Sequence, residues 1–170
     1  VGEAVLAGLA ATILLTHGAA ALRQALDNAI NQDNRAPVIV GYHATSFQGG
    51  YSIARARGFL MERSDLDKTN RFGHGFYLSS TPQGAVAERA RQGFTTDMVL
   101  EVKARLTRNW GVGGPFAERP VSRIIGTINR RFLKGSITYG SFAEPGVTNY
   151  VLFNPAEQQI GAPRGIQYGQ

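Results

Sequence analysis

The sequence predicts an α+β domain built on a mainly antiparallel sheet. Strand-like segments outnumber helical ones after residue 37, and no repeat or heptad runs along the chain. The 170 residues are 43% hydrophobic and 18% charged, the composition of one globular domain with a sizeable core. Two parts are expected: an apolar helical segment with its linker at 1–36, and the domain proper at 37–170.

The elements follow from local pattern. Ala4 to Leu22 contains no Lys, Arg, Asp or Glu. It is near bilayer length, but its threonines, His17 and two glycines, and its lack of a basic start, favour a packed helix running to about Asn28. The polar run Asn31 to Arg35 and Pro37 end it. Val38 to His43 reads as a strand, β-branched at its start. Tyr51 to Phe59 reads as a short helix ending at Gly58. Phe72 to Leu78 is glycine-punctuated and strand-like. Thr81 is an N-cap residue with Pro82 in the first helical position, so a helix follows. Met98 to Leu106 alternates Val99, Glu101, Lys103 and Arg105 against Leu100, Val102, Ala104 and Leu106, a half-buried strand. Trp110 to Pro115 reads as a loop and Pro120 to Phe132 as a short helix. Ser136 to Tyr139 and Asn149 to Asn154 are the last strands.

Cysteine is absent, which excludes disulfide scaffolds, thiolate zinc sites and cysteine nucleophiles. With three histidines, a histidine-rich metal site is not expected. The net charge is +6. Residues 100–135 hold the whole excess: Lys103, Arg105, Arg108, Arg119, Arg123, Arg130, Arg131 and Lys134 stand there against Glu101 and Glu118. Arginine forks match phosphate oxygens, so this stretch fits a polyanion; a solvated face or an acidic protein partner fits as well.

Residues able to carry chemistry fall in three groups. Tyr42, His43, Ala44, Thr45 and Ser46 end the first strand. Phe72-Gly73-His74-Gly75-Phe76-Tyr77 forms the second group. Thr148, Asn149, Tyr150, Phe153 and Asn154 form the third. No G-x-S-x-G elbow, Walker loop or Rossmann fingerprint is present, and Gly111 to Pro115 lacks the Lys and the βαβ context of a phosphate loop. Singly, each group has an ordinary reading: His43 a satisfied strand-end histidine, Tyr77 a core tyrosine, Gly73 and Gly75 turn glycines.

In this order the three groups resemble the motifs of the ADP-ribosyltransferases of the diphtheria-toxin and poly(ADP-ribose) polymerase type. Those motifs are a His before small residues, a G-x-G-[IF]-Y segment leading into a helix, and a strand opening with Glu before an aromatic residue. The resemblance covers residues 38–160. It implies a split antiparallel sheet core with short helices, NAD+ as substrate, and no metal. It implies that His43 holds the adenosine ribose, that Ala44 and Thr45 meet the nicotinamide amide or its ribose, that Gly73 and Gly75 allow close backbone approach, and that Tyr77 stacks on the nicotinamide ring. Polymorphic, Rhs-type toxin domains of this family are the nearest in style. That likeness implies a secreted bacterial effector of interbacterial competition, acting in the target-cell cytoplasm without stable membrane anchoring and neutralised by an acidic immunity protein.

The third motif departs from the family. Asn149 stands where the family has its catalytic Glu, and an amide brings no charge to an oxocarbenium-like state. Four explanations fit: a mono-transferase using Asn149 alone, a substitute carboxylate at Glu144 or less readily at Glu157, a domain that binds without catalysing, or an engineered substitution. The polymerase branch often has a second stacking tyrosine on the following helix; Glu88 falls there, and its expected surrounding is solvent. The leading expectation is mono-ADP-ribosylation of structured RNA, with Lys103, Arg105, Arg108, Arg119, Arg123, Arg130 and Arg131 binding the acceptor beside a nearly neutral NAD+ cleft. A protein side chain as acceptor, and an inactive NAD+ or ADP-ribose-binding module, are the alternatives.

Overall fold

The computed structural model describes residues 36–55, 70–113 and 120–166. The expected helix running to about Asn28, the end of the expected Tyr51 to Phe59 helix, Gly114, Pro115 and Arg119 lie outside them. Among the described residues no helix is long and apolar enough to cross a membrane.

The domain is mixed α+β. Strand β1 (Val38–Thr45) is followed by helix α1 (Phe47–Arg55), strand β2 (Phe76–Ser79) and helix α2 (Pro82–Arg91). Then come β3 (Met98–Arg105), β4 (Asn109–Val112), α3 (Val121–Ile128) with a π-helical turn at Asn129–Leu133, β5 (Ser136–Gly140), β6 (Thr148–Leu152), the short helix α4 (Pro155–Gln158) and β7 (Arg164–Ile166). The sheet order is β4-β5-β6-β2-β1-β3-β7. All neighbours run antiparallel except β4 and β5.

Side-chain chemistry sets the helix ends. Ser46 Oγ accepts the Gly49 N–H at 3.1 Å and the Asp97 carboxylate accepts the Phe47 N–H at 3.2 Å, so α1 starts at Phe47 rather than at Tyr51. Thr81 Oγ1 accepts the Gly84 N–H at 3.0 Å and Pro82 opens α2, as its sequence indicates. Asn129 is fully buried after α3, where its Oδ1 accepts from Gly135 N–H at 2.8 Å and its Nδ2 donates to the Ser136 carbonyl at 3.2 Å. That residue ties the helix end to the start of β5.

Two readings change. Trp110 to Val112 is strand, not loop, because β4 finds a parallel partner in β5. Residues 72–75 form a turn, so β2 begins only at Phe76.

The sheet does not lie flat. β3 and β4 stand five strands apart in the order, which on a flat sheet is roughly 24 Å. The chain from Arg105 to Asn109 can reach only about 14 Å. The sheet therefore folds over on itself, and Leu152 of β6 packs with Leu100, Val102 and Ala104 of β3 inside the fold. The fold-over lies at β1 and β2, which share one register pair, Tyr42 with Ser79, whereas β1 and β3 pair along all eight residues. On the other face α2 covers Ala44 and Val99, and α3 covers Ile137, Tyr139 and Val151.

Candidate functional site

The seam between β1 and β2 opens into a cleft of about 420 Å³. Small-molecule sites occupy roughly 300–1,000 Å³. Beyond the single register pair the two strands part.

His43 spans part of that gap with its side chain. Its Nδ1 lies 3.0 Å from the Tyr77 carbonyl oxygen. A carbonyl only accepts, so Nδ1 holds the proton and Nε2 the lone pair. The ring leans on Phe76 with centroids 4.4 Å apart. Burial pushes the His43 pKa down to about 4, outweighing the Tyr77 bond that favours the charged form, and the nearby Arg89 charge adds to the lowering. The imidazole is therefore neutral at pH 7.

Tyr77 holds the turn before its own strand. Its hydroxyl donates to the Gly73 carbonyl at 2.8 Å and accepts the Phe72 N–H at 3.1 Å. Gly73 has φ +80°, a conformation few side chains tolerate. A Cβ on Gly75 would lie 2.5 Å from Val151 Cγ1, so only glycine lets this turn approach β6. Both glycines of the second motif thus serve the placement of Tyr77.

The third group meets a residue from α2. Asn149 is 2% exposed. Its Nδ2 donates to Glu88 Oε1 at 2.9 Å. The same oxygen accepts from Ser141 Oγ at 2.8 Å and from the N–H groups of Phe142 and Ala143. Oε2 accepts from Arg91 Nε at 3.1 Å. Burial pushes the Glu88 pKa up, but the Ser141 bond, the Arg91 charge and bond, and the Phe142 N–H together hold it below the usual carboxylate range. Asn149 Oδ1 is buried with no hydrogen-bond partner among the described residues, as is Ser79 Oγ on the paired position of β2. Tyr139 pairs with Asn149 across β5 and β6, and burial raises its phenol further above the ordinary value.

The expectation that Glu88 faces solvent is overturned. Its side chain is only 15% exposed, because Ala85, Glu88, Arg89 and Gln92 fall on one helical stripe that lines the cleft. That i, i+3, i+4, i+7 spacing, beginning at buried Ala85, was the signal available in the sequence. The cleft is not nearly neutral either: Arg71, Arg89 and Arg91 line it against Glu88. The Arg71 guanidinium lies 3.8 Å from the Phe142 ring centroid, and that of Arg89 lies 5.4 Å from Phe94.

His43, Ala44, Thr45, Gly75, Tyr77 and Asn149 all line this cleft, and Gly73 supports it through Tyr77. Glu144 is not among the lining residues; its backbone N–H caps onto Ser141 Oγ in the β5–β6 connection. Glu157 is exposed on α4. Lys103 and Arg105 on β3, Arg108 before β4, and Arg123, Arg130 and Arg131 on α3 and its π turn are spread over separate elements, and none lines the cleft. Among the described residues no group of three or more His, Cys, Asp or Glu side chains is placed to hold a metal ion. No family model matches the chain, and no curated protein matches it.

Proposed function

We propose that the chain is a mono-ADP-ribosyltransferase using NAD+ bound across the β1–β2 seam. The observation that carries this reading is the convergence of His43, Tyr77 and Asn149, far apart in sequence, on one cleft of ligand size. The split at the seam agrees with the sheet architecture of that family. His43 and Tyr77 both line the cleft, where an imidazole can hydrogen-bond a ribose hydroxyl and an aromatic ring can stack on nicotinamide. Arg71, Arg89 and Arg91 supply positive charge for the pyrophosphate.

The chemistry balances without an enzyme nucleophile. The bond from ribose C1′ to the nicotinamide nitrogen breaks, and its electron pair leaves with nicotinamide. An acceptor hydroxyl or amine attacks C1′, and its proton passes to water. The protein's part is to bend NAD+, to stabilise the oxocarbenium-like state and to exclude competing water.

Structured RNA is the acceptor we favour. The arginine-rich composition supports it, and so do the guanidinium–aromatic stacks at Phe142 and Phe94, whose type of surface suits bases and phosphates. In this reading the domain is a secreted toxin of the target-cell cytoplasm with an acidic immunity partner. Incubation with NAD+ labelled in the adenine, together with total RNA and protein, tests it. Nicotinamide release with label in RNA is expected, falling to background in His43→Ala and Tyr77→Ala. Label on protein alone refutes the RNA acceptor, and no NAD+ turnover refutes the enzyme.

A further inference from the structure

We propose that Glu88 and Asn149 act as one composite acid–amide unit. Glu88 is the positioning residue that aims and polarises the Asn149 amide, and Asn149 Oδ1 is the catalytic atom that meets the nicotinamide ribose. The inference rests on the NAD+ reading of the cleft and concerns the negative charge that strand β6 lacks.

The geometry argues for the division of labour. Asn149 Nδ2 lies 2.9 Å from Glu88 Oε1. A carboxylate cannot donate, so the amide has one orientation, with Oδ1 turned away from Glu88. Oδ1 is left as a buried acceptor without a partner among the described residues, on a residue only 2% exposed that lines the cleft. An unmade bond of that kind is costly and rare, and a ligand hydroxyl can complete it. Glu88 itself has no such vacancy. Its Oε1 accepts from Ser141, Phe142, Ala143 and Asn149, and its Oε2 accepts from Arg91. It is too well occupied to turn toward substrate, and its charge reaches the cleft through the amide. In a shielded site, hydrogen bonds in series polarise one another, so the Glu88 charge draws the amide N–H bonds and raises electron density on Oδ1. The positive charge that grows on the ribose as nicotinamide leaves then meets a stronger dipole than a lone Asn provides.

Neighbouring groups are part of the unit. Arg89 and Arg91 stand beside Glu88 on α2 and line the same cleft, and the Tyr139 phenol sits by Asn149. Glu88 also pins the 141–143 segment, so its removal could loosen the fold, and the test separates the two roles.

NAD+ glycohydrolysis by the full chain, with water as acceptor, gives kcat and KM without any assumption about RNA. NAD+ titration and thermal melting accompany it. Glu88→Gln keeps the size and loses the charge. The expected result is a fall in kcat of about 10²-fold with NAD+ affinity within a fewfold of the parent. Placing the carboxylate back on the strand, as Asn149→Glu in the Glu88→Gln background, is expected to restore most of that loss. Asn149→Glu alone crowds two carboxylates and should not improve turnover. An unchanged kcat in Glu88→Gln overturns the inference, as does a double variant no better than Glu88→Gln. So does a loss confined to KM and melting temperature. A wild-type chain that neither binds nor hydrolyses NAD+ overturns the reading of the cleft itself, which is a different result from a fully active Glu88→Gln.

Discussion

His43 makes the acid stability of this domain a direct test of the cleft geometry. The perturbation is pH, with a His43→Asn variant as control, since Asn retains a side-chain N–H for the Tyr77 carbonyl and does not titrate. The folded pKa is lowered from 6.5 to about 4 by burial. The unfolded chain thus takes up a proton near pH 6.5 while the folded one refuses it until near pH 4. Stability is fully present above pH 6.5 and is lost progressively as pH falls toward 4. From pH 7 to pH 5 the difference amounts to about 2 kcal/mol, and it approaches about 3 kcal/mol below the folded value. The assay is urea unfolding of both proteins at several pH values. Every other titrating group is shared, so the gap between their pH slopes isolates this imidazole. Near pH 5 the wild type should lose about 1 kcal/mol per pH unit more than the variant. Parallel slopes, or a wild type that gains on the variant in acid, would refute the placement of a neutral His43 against the Tyr77 carbonyl.

Further expectations concern packing, capping and charge. Asn129→Ala strips both bonds from a fully buried amide site and should lower unfolding free energy by about 2–3 kcal/mol in denaturant melts. Thr81→Ala removes the cap of α2, at a cost of about 1 kcal/mol; because α2 carries Glu88, NAD+ turnover should fall along with melting temperature. Arg71→Ala removes a cleft cation and its stack on Phe142, so calorimetric titration should show weaker NAD+ binding with little change in melting.

What the sequence disclosed depended on how local the cause was. α2 was legible because Thr81, Pro82 and the helix formers after them are adjacent in the chain. β3 was legible because its alternation is long. β4 was not, since Asn109–Val112 holds two apolar residues and a glycine, and becomes strand only by pairing with β5 beyond α3. β7 has three residues and exists by pairing with β3. The strand-like look of Phe72 to Gly75 misled because its organiser, the Tyr77 hydroxyl, acts backward over the turn. The three motif groups were readable as a set, and the fold brings them to one cleft. Their acidic partner was not readable from any motif, because Glu88 reaches Asn149 only through the docking of α2 on β1 and β2.

Charge follows the same logic. The net +6 gathers in sequence at residues 100–135, yet the described arginines and lysines of that stretch sit on separate elements and do not line the cleft. At physiological salt an exposed charge is largely screened beyond about 8 Å. The described members of the basic stretch therefore contribute little inside the seam. Within the seam the local balance is three arginines against one glutamate, and that glutamate is occupied by hydrogen bonds and Arg91. A dianionic pyrophosphate suits such a site better than a neutral ligand does. Glu88 stays ionised despite burial because the Ser141 hydroxyl, the Arg91 charge and bond, and the Phe142 N–H hold it so; in the proposed reading Arg91 then serves both the carboxylate behind Asn149 and the phosphates of NAD+, which ties substrate binding and the Asn149 amide to one electrostatic arrangement.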